Sequence, residues 1–287
     1  MTPQLATTTA LRARLDPFLA RLGQFEVRLA ITDAERHAAY RLRYEVFHRE
    51  RGVDAPWMDH ANHIECDAFD PHCDHIIVID SATETPDESP AIVGTYRVMA
   101  NPAPGLGYYA NAEFDLDALL QKHDDTRFCE VGRSCVAPAY RSMRTIEALW
   151  CGLWVYACRN SIDAFIGAAS FPGTDPKEHA LALSFLRHHA PAKTDWTAQV
   201  RGRGVPMAMI PAAAIDRHAA LRAMPPLVRG YLRLNARFAT EAFIDRAFGT
   251  TDVLVIAPLA AAPLPYRERM ARVTGARHPH QDRVLES

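Results

Sequence analysis

The sequence has little of what marks several common protein classes. No apolar run reaches the ~20 residues that a transmembrane helix needs. Its charges nearly balance, with 32 Lys and Arg against 34 Asp and Glu, so the net charge gives no reason to expect a nucleic-acid partner. The P-loop pattern GxxxxGK[ST] is missing, and so are internal repeats and low-complexity segments. What remains is globular composition, with 48% hydrophobic and 23% charged residues.

The cysteines and the N-terminus indicate the compartment. Six cysteines lie mostly in apolar surroundings, which favours reduced, buried thiols over a disulfide framework. The first 24 residues interleave arginines with leucines and lack the continuous apolar core of a signal peptide. They predict an amphipathic helix that either lies on a membrane surface or packs against the core. We therefore expect a cytoplasmic protein with peripheral contact at the inner face of the membrane.

The order of predicted elements indicates one α/β domain over 25–262, followed by a tail over 263–287. Thr32 and Glu35 form a capping box that opens a helix running to about Glu50. The alternation of apolar residues predicts strands, with an antiparallel pair at the second and third, over 25–31, 75–80, 91–99, 127–136, 163–171, near 195–210 and over 252–257. Further helices are predicted over 142–159, from Asp175 to about His189, near 213–223 and near 226–240.

A long polar loop follows the first helix, and both it and the helix carry candidate site residues. Arg43 and Phe47 are four apart and project from one helix face, where Arg43 either snorkels at the edge of the core or serves a site. In the loop, Asp67 and Asp70 either hold a cationic substrate or form a solvated acidic surface. The loop is also rich in His and Cys, but its spacings match no common zinc motif, so we expect no metal.

The stretch CEVGRSCV, residues 129–136, puts Glu130 and Arg133 into an otherwise buried strand. A β-bulge, plausible at Gly132, would turn both side chains toward one cleft, since strict alternation would place them on opposite faces. Arg97 on the preceding strand faces a half-buried side and needs an acidic partner. The group is either an ion pair that fixes the sheet or a site in which Glu130 takes a proton from an amine.

Two strand-to-helix junctions could bind polar or anionic groups. YRSMR, residues 140–144, places Arg141 and Arg144 beside a predicted helix N-terminus, which is a natural phosphate site. SFPGTDP, which begins with Ser170 and Phe171, is either a second such site or simply a well-formed turn.

Several of these residues stand in an order that resembles a known group of enzymes. Arg43 and Phe47, two acids three apart, a strand arginine and the pair Glu130 and Arg133 resemble the acyl-homoserine-lactone synthases. Longer segments resemble a sister family, the L-ornithine N-alpha-acyltransferases of bacterial ornithine lipid synthesis. These segments, within about residues 25–260, are LRYEVF, ECDAFDPHCDHIIV, VGTYR, EVGRSCV, LWCGLWVY, GAASFPGTDP, MPPLVRGYLRL and TTDVLVI.

The resemblance implies a fold and a reaction. The fold is α/β and GNAT-like, with a central mixed, mostly antiparallel sheet flanked by helices. The reaction moves a (3-hydroxy)acyl chain from acyl carrier protein to the α-amine of L-ornithine, giving lyso-ornithine lipid for a downstream O-acyltransferase. An N-acyl amino acid or acyl-homoserine-lactone type autoinducer synthase is the alternative. No cofactor is implied beyond the phosphopantetheine of the carrier protein.

The resemblance also assigns roles to the candidate residues. Glu130 and Arg133 would be catalytic. Substrate binding falls to Arg43, Phe47, Asp67, Asp70, Arg97, Ser170 and Phe171, and donor binding to Val136, Arg141 and Arg144.

Overall fold

The computed structural model describes residues 16–83 and 91–279. Thirteen strands lie in these segments. They are β1 (Phe18–Leu22), β2 (Phe25–Leu29), β3 (Met58–Asp59), β4 (Ile64–Glu65), β5 (Asp74–Asp80), β6 (Ile92–Met99), β7 (Phe114–Asp115), β8 (Phe128–Val136), β9 (Ala164–Pro172), β10 (Gln199–Val200), β11 (Val205–Pro206), β12 (Arg237–Asp245) and β13 (Thr250–Pro258).

Nine of the strands form one twisted sheet in the order β1-β2-β5-β6-β8-β9-β13-β12-β11. All neighbours are antiparallel except β8 and β9, so the sheet is mixed and mostly antiparallel, as expected. The parallel pair is short: residues 128–130 pair with residues 164–166, and the two strands then separate. The separation opens a cleft in the middle of the sheet.

Seven α-helices surround the sheet in the described segments. The first confirms the predicted capping box, since the Thr32 hydroxyl accepts from the Glu35 amide and the Glu35 carboxylate accepts from the Thr32 amide. It continues as a π-helical turn over Glu45–Glu50, close to the predicted end. The helices are α1 (Asp33–Tyr44), α2 (Asp117–Lys122), α3 (Met143–Asn160), α4 (Ala180–His189), α5 (Arg217–Ala223), α6 (Pro226–Arg233) and α7 (Leu264–Thr274).

The two faces of the sheet are covered differently. Helix α3 packs across β1, β2, β5 and β6 and is buried on most sides, which is why its sequence is apolar all round. Helices α4 and α5 cover the β12–β13 half. On the face opposite α3, α1 and the loops around residues 53–73 and 100–116 cover β6, β8 and β9. No helix in the described segments is long and apolar enough to span a bilayer.

The predicted N-terminal helix over 1–24 is wrong for its last part. Residues 18–22 are β1, and Gly23 (φ +62°) forms the two-residue turn that pairs Leu22 with Phe25. Leu19 and Ala20 gain burial against α3 in this arrangement, which a free helix would not provide. Residues 1–15 of the prediction lie outside the described segments.

Two C-terminal predictions also differ from the structure. The helix predicted near 226–240 ends at Arg233, because Asn235 (φ +58°) turns the chain into β12. The predicted tail contains α7, which begins at Leu264. It packs on α3 through Tyr266, whose ring lies edge-on to Trp150 and Trp154, so it belongs to the folded domain.

Candidate functional site

The cleft side of the sheet collects the charged residues singled out from the sequence. Arg97 on β6 lies opposite Gly132 on β8, and Glu130 lies opposite Met99 and Ile166. Because side chains alternate along a strand, Arg97 and Glu130 share one face. The predicted bulge is present but lies one residue later than expected. Two residues of β8, Arg133 (φ +50°) and Ser134, oppose a single residue of β6.

Arg43 lies inside the protein rather than at the core's edge as expected, with no exposed surface. Its guanidinium reaches both oxygens of Asp70, at 2.6 and 2.9 Å, and its Nε donates to Glu65. Burial opposes the charge on Arg43, but Glu65 and Asp70 outweigh it and raise the pKa of Arg43. Burial likewise opposes the charge on Glu65 and Asp70 and would by itself raise the pKa of both carboxyls. Arg43 and the neighbouring cations outweigh burial and lower the pKa of each.

Arg97 and Arg133 extend this network toward the cleft. Arg97 Nη1 lies 2.6 Å from Asp67 Oδ1 and 3.3 Å from Asp70 Oδ1. Arg133 donates from Nε to Glu65 at 3.1 Å and from Nη2 to Asp67 at 3.0 Å. Arg133 keeps 19% of its side chain exposed, whereas the Arg97 side chain has no exposed surface. Three arginines and three carboxylates thus balance one another.

This balance corrects the hypothesis that Asp67 and Asp70 bind a cationic substrate. Asp70 is 1% exposed and occupied on both oxygens, while Asp67 is held by Arg97 and Arg133. Binding a further cation there would require breaking buried pairs, which typically costs about 3–5 kcal/mol. The loop acids therefore position the arginines.

Glu130 on β8 has no exposed surface, and its carboxyl group contacts the start of a 3₁₀ turn, Tyr109–Ala112. Its carboxyl oxygens accept the backbone N–H groups of Tyr109 and Ala110, each at 2.6 Å. No ion pair joins it to Arg97 or Arg133 in the described segments, so the first of the two alternatives, an ion pair that fixes the sheet, does not apply to Glu130. Burial raises the pKa of Glu130 to about 8, against the opposing effects of the two amides and both arginines.

Tyr109 brings further polar groups beside Glu130. Its ring lies under Arg97, with the guanidinium carbon 4.2 Å from the ring centroid. Its hydroxyl passes so close to Gly132 that a Cβ there would lie 2.4 Å away, so only glycine fits. The Tyr109 hydroxyl and two Arg97 nitrogens, Nε and Nη2, are buried without a hydrogen-bond partner among the described residues. Such groups usually have a partner, which points to a bound molecule.

Aromatic side chains form the wall beside Arg133. The Phe248 ring lies 4.4 Å from the Arg133 guanidinium and the Trp57 ring 5.8 Å from it. Trp57 also donates to Glu65 at 2.9 Å. Phe47 is buried behind them, edge-on to Phe248 at 5.8 Å, so it supports this wall rather than lining the cleft.

A second acidic group lies on the same face, across the cleft. Glu113, Asp245 and Asp252 have carboxylate oxygens within 4.8 Å of one another. Burial, together with the other carboxylates, raises the pKa of Glu113 well above its usual range and that of Asp252 to about 6. The positive charge of Arg133 acts on both in the opposite direction. Sequence reasoning missed this trio, although Asp252 interrupts the apolar run TTDVLVI that was singled out.

Ser170 and Phe171 separate in the structure. Ser170 is exposed and lies directly opposite Asp252 across β9 and β13, so it borders the acidic trio. Phe171 points the other way, has no exposed surface and packs into the core under α4. Strand alternation separates the two neighbours, so the structure gives Phe171 no place at the cleft.

The residues predicted to bind the donor lie at the N-terminus of α3. Val136 is half-buried at the end of β8. Arg141 is exposed and forms a two-pronged ion pair with Glu50, one arm of it at 2.7 Å. Arg144 is exposed, with its guanidinium against Gly23. Between the separating strands, a cavity of about 10 Å³ is lined in part by Val131, Gly167 and Tyr231. The hydroxyl of Tyr231 forms a hydrogen bond with the hydroxyl of Tyr96 at this cavity.

The polar loop contributes two residues, Asp54 and His60, to one group of possible metal ligands. Of its His and Cys residues, His60 alone joins a cluster in the described segments, with His48 and Asp54. The ring nitrogens of His60 already contact the Tyr44 hydroxyl and the Asp54 carboxylate.

Comparison with known proteins decides the family. Residues 42–151 match the profile of the acetyltransferase (GNAT) domain. The chain is 46% identical over 244 residues to an L-ornithine N(alpha)-acyltransferase of Brucella abortus (strain 2308), covering 84% of this chain and 86% of the relative. A namesake from Agrobacterium fabrum is 44% identical over 244 residues, covering 84% and 83%. The chain belongs to the family of L-ornithine N(alpha)-acyltransferases.

The fold is accordingly that of the GNAT acyltransferases, and the protein is an N-acyltransferase. Among solved structures, the chain is similar to FeeM, an N-acyl amino acid synthase from uncultured soil microbes. That similarity has a TM-score of 0.43 and 12% identity, and it covers 82% of this chain and 92% of that one.

An N-acyltransferase must place a neutral amine beside an activated carbonyl. The cleft offers a carboxyl of raised pKa in Glu130, two unpartnered nitrogens on Arg97, and a gap where β8 and β9 separate. Trp57, Tyr109 and Phe248, which complete this site, escaped the sequence analysis because aromatic residues in loops carry no pattern of their own.

Proposed function

We propose that the protein transfers a (3-hydroxy)acyl chain from acyl carrier protein to the α-amine of L-ornithine, giving lyso-ornithine lipid. The observation that carries the proposal is the buried Glu130 carboxyl beside the unpartnered nitrogens of Arg97. A base and a carboxylate-binding group side by side suit an α-amino acid. The relatives' name supplies ornithine as the acceptor.

Glu130 accepts the proton of the attacking amine in this proposal. Its pKa of about 8 is far closer to that of an amine than an ordinary carboxyl pKa is, so Glu130 is a better proton acceptor for an amine than an ordinary carboxylate. Both carboxyl oxygens already accept an amide, but each has a second lone pair that a water or the amine can use. The thioester is already activated, so no covalent enzyme intermediate is needed.

The remaining roles follow from position. Arg97 Nη2 and the accessible Arg133 bind the acceptor's α-carboxylate. Beyond Glu130, the edge of β8 that faces β9 has no ladder partner among the described strands, so its backbone N–H groups are donors for the tetrahedral oxyanion. The acyl chain enters between the parting strands, where Tyr231 must move to widen the small cavity.

Acyl carrier protein is the proposed donor. Its phosphopantetheine meets the α3 N-terminus near Val136, Arg141 and Arg144, and these exposed arginines suit an acidic carrier surface. The product is a lipid, so we propose peripheral contact at the inner face of the membrane and a downstream O-acyltransferase that consumes the product. No cofactor or nucleic acid takes part.

The test uses the purified chain with 3-hydroxyacyl carrier protein and an equimolar mixture of ornithine, lysine, glycine, serine and glutamine. We expect mainly Nα-acylornithine, with some acyl-lysine, since rejecting one methylene is worth only ~1–3 kcal/mol. Parallel reactions replace the donor with the matching acyl-CoA, or the acceptors with S-adenosylmethionine. Preference for a neutral amino acid, acylation of the side-chain amine, or formation of a homoserine lactone would overturn the proposal.

A further inference from the structure

The trio of Glu113, Asp245 and Asp252 brings three carboxyl groups together without a bonded cation among the described residues. No ion pair reaches any of the three in the described segments, whereas the loop acids at the first network are each bonded to arginine. Asp245 Oδ1 accepts the amides of Ala247 and Phe248, which fixes its carboxylate in the β12–β13 turn. The turn therefore holds Asp245 in place, and the trio has no ion-pair partner among the described residues.

Buried oxygens in and beside the trio lack partners. Asp252 is 3% exposed, and its Oδ1 has no hydrogen-bond partner among the described residues. The same holds for Glu113 Oε2 and for the hydroxyl of Thr250, which is 9% exposed. Thr250 lies two residues from Asp252 on the same face of β13, and its hydroxyl and that of Ser170 lie close enough to the Asp252 carboxylate to lower its pKa, against the larger effect of burial. Unpartnered acceptors at this depth call for a donor.

The trio lies beside the acyl-transfer site. Asp252 is paired with Ser170, and Ile166 four residues earlier on β9 is paired with Glu130, so all share the cleft face. Arg133 acts electrostatically on Glu130, Glu113 and Asp252 alike, and the charge of Glu130 in turn raises the pKa of Glu113. The trio and Glu130 therefore share the cleft face of the sheet and the electrostatic influence of Arg133.

We propose that Glu113, Asp245 and Asp252 form the subsite that receives the side-chain ammonium of the acceptor amino acid. This inference rests on the function proposed above and names the residues that select a diamino acid. An ammonium has three donors and no acceptor, which matches a ring of carboxylates with free lone pairs. With the α-carboxylate on Arg97 and Arg133 and the ammonium in the trio, the α-amine is left facing Glu130.

The test compares ornithine with 2-aminopentanoate (norvaline), which is ornithine without its side-chain amine. We expect the wild-type chain to prefer ornithine by about 30-fold or more in kcat/KM, since an unpaired buried charge costs at least about 2 kcal/mol. Asp252→Asn and Glu113→Gln should each remove most of this preference through a higher KM for ornithine. Urea unfolding of both purified variants, run beside the wild type, shows whether they fold.

Asp124→Asn, at an exposed aspartate after α2, is the matched control and should keep the wild-type preference. Retention of the ornithine preference in both trio variants would overturn the inference while leaving the proposed function intact. No acylation of either amino acid by the wild-type chain would instead refute the proposed function. Calorimetric titration with Mg²⁺ and Ca²⁺ forms a third arm, and binding of either ion in competition with ornithine would assign the trio to a metal.

Discussion

Glu130 makes a prediction about stability that needs no substrate. Its pKa is about 8 in the folded chain and near 4.5 when unfolded. Between pH 4.5 and 8 the folded state binds a proton on Glu130 that the unfolded state lacks. Protonated Glu130 therefore makes its full contribution to the free energy of unfolding below pH 4.5, and this contribution is lost as pH rises through 8. Because a tenfold change in proton affinity is worth about 1.4 kcal/mol, the full loss is about 5 kcal/mol.

The assay is urea unfolding of wild-type and Glu130→Gln chains at intervals from pH 5 to pH 9. Glutamine keeps the shape but turns one acceptor into a donor facing the Tyr109 or Ala110 amide, so the variant should be less stable at pH 5. As pH rises, only the wild type bears the cost of ionising the buried carboxyl. The free energy of unfolding of the wild type minus that of the variant should fall by about 1.4 kcal/mol per pH unit between pH 5 and 8, and level off above pH 8.

Both chains share all other titrating groups. Subtracting one curve of unfolding free energy against pH from the other therefore removes the contribution of those groups. Glu268→Gln, at an exposed position on α7, serves as the control and should run parallel to wild type. A wild-type-minus-variant difference that stays flat from pH 5 to 9 would refute the reasoning, because it would mean that Glu130 is ionised throughout.

Three further predictions concern the surrounding network. Arg43→Met should lower the free energy of unfolding by about 3–5 kcal/mol in urea titrations, since Glu65 and Asp70 lose a buried partner; a loss below 1 kcal/mol would contradict the network. Asp252→Asn should stabilise the chain by up to about 3 kcal/mol above pH 6 and by little near pH 4, because the raised carboxyl pKa costs stability as pH rises through 6; equal stability at pH 8 would count against this. Arg141→Ala with Arg144→Ala should raise KM for acyl carrier protein and flatten its salt dependence, while an unchanged salt profile would move the donor site elsewhere.

Local patterns in the sequence predicted much of the fold. The capping box at Thr32, the antiparallel pair β5–β6 and the apolar helix α3 each depend on neighbours within one segment, and all three are present. Strand β12 was missed, since its residues read as a continuation of α6 until Asn235 turns the chain. Strand β1 was missed because its burial depends on distant contacts with α3.

The sequence predicted several of the charged residues that gather at the cleft, but not which of them would form ion pairs. The sequence showed that charged residues would meet, yet which charges pair depends on contacts across the chain, such as Arg133 with Glu65, 68 residues away. That pairing occupies the loop acids, whereas Glu113 and Asp252, on separate elements, each keep a buried oxygen without a hydrogen-bond partner among the described residues. Only the sheet register brings those two together with Glu130.

The most direct test of the mechanism is the single-turnover rate of acyl transfer by wild-type and Glu130→Gln chains. Both would be supplied with saturating acyl carrier protein thioester and ornithine, with Glu268→Gln as the control. If Glu130 takes the proton of the attacking amine, the variant should lose about two to four orders of magnitude in rate while binding ornithine with little change. A Glu130→Gln rate within about threefold of wild type would contradict the mechanism.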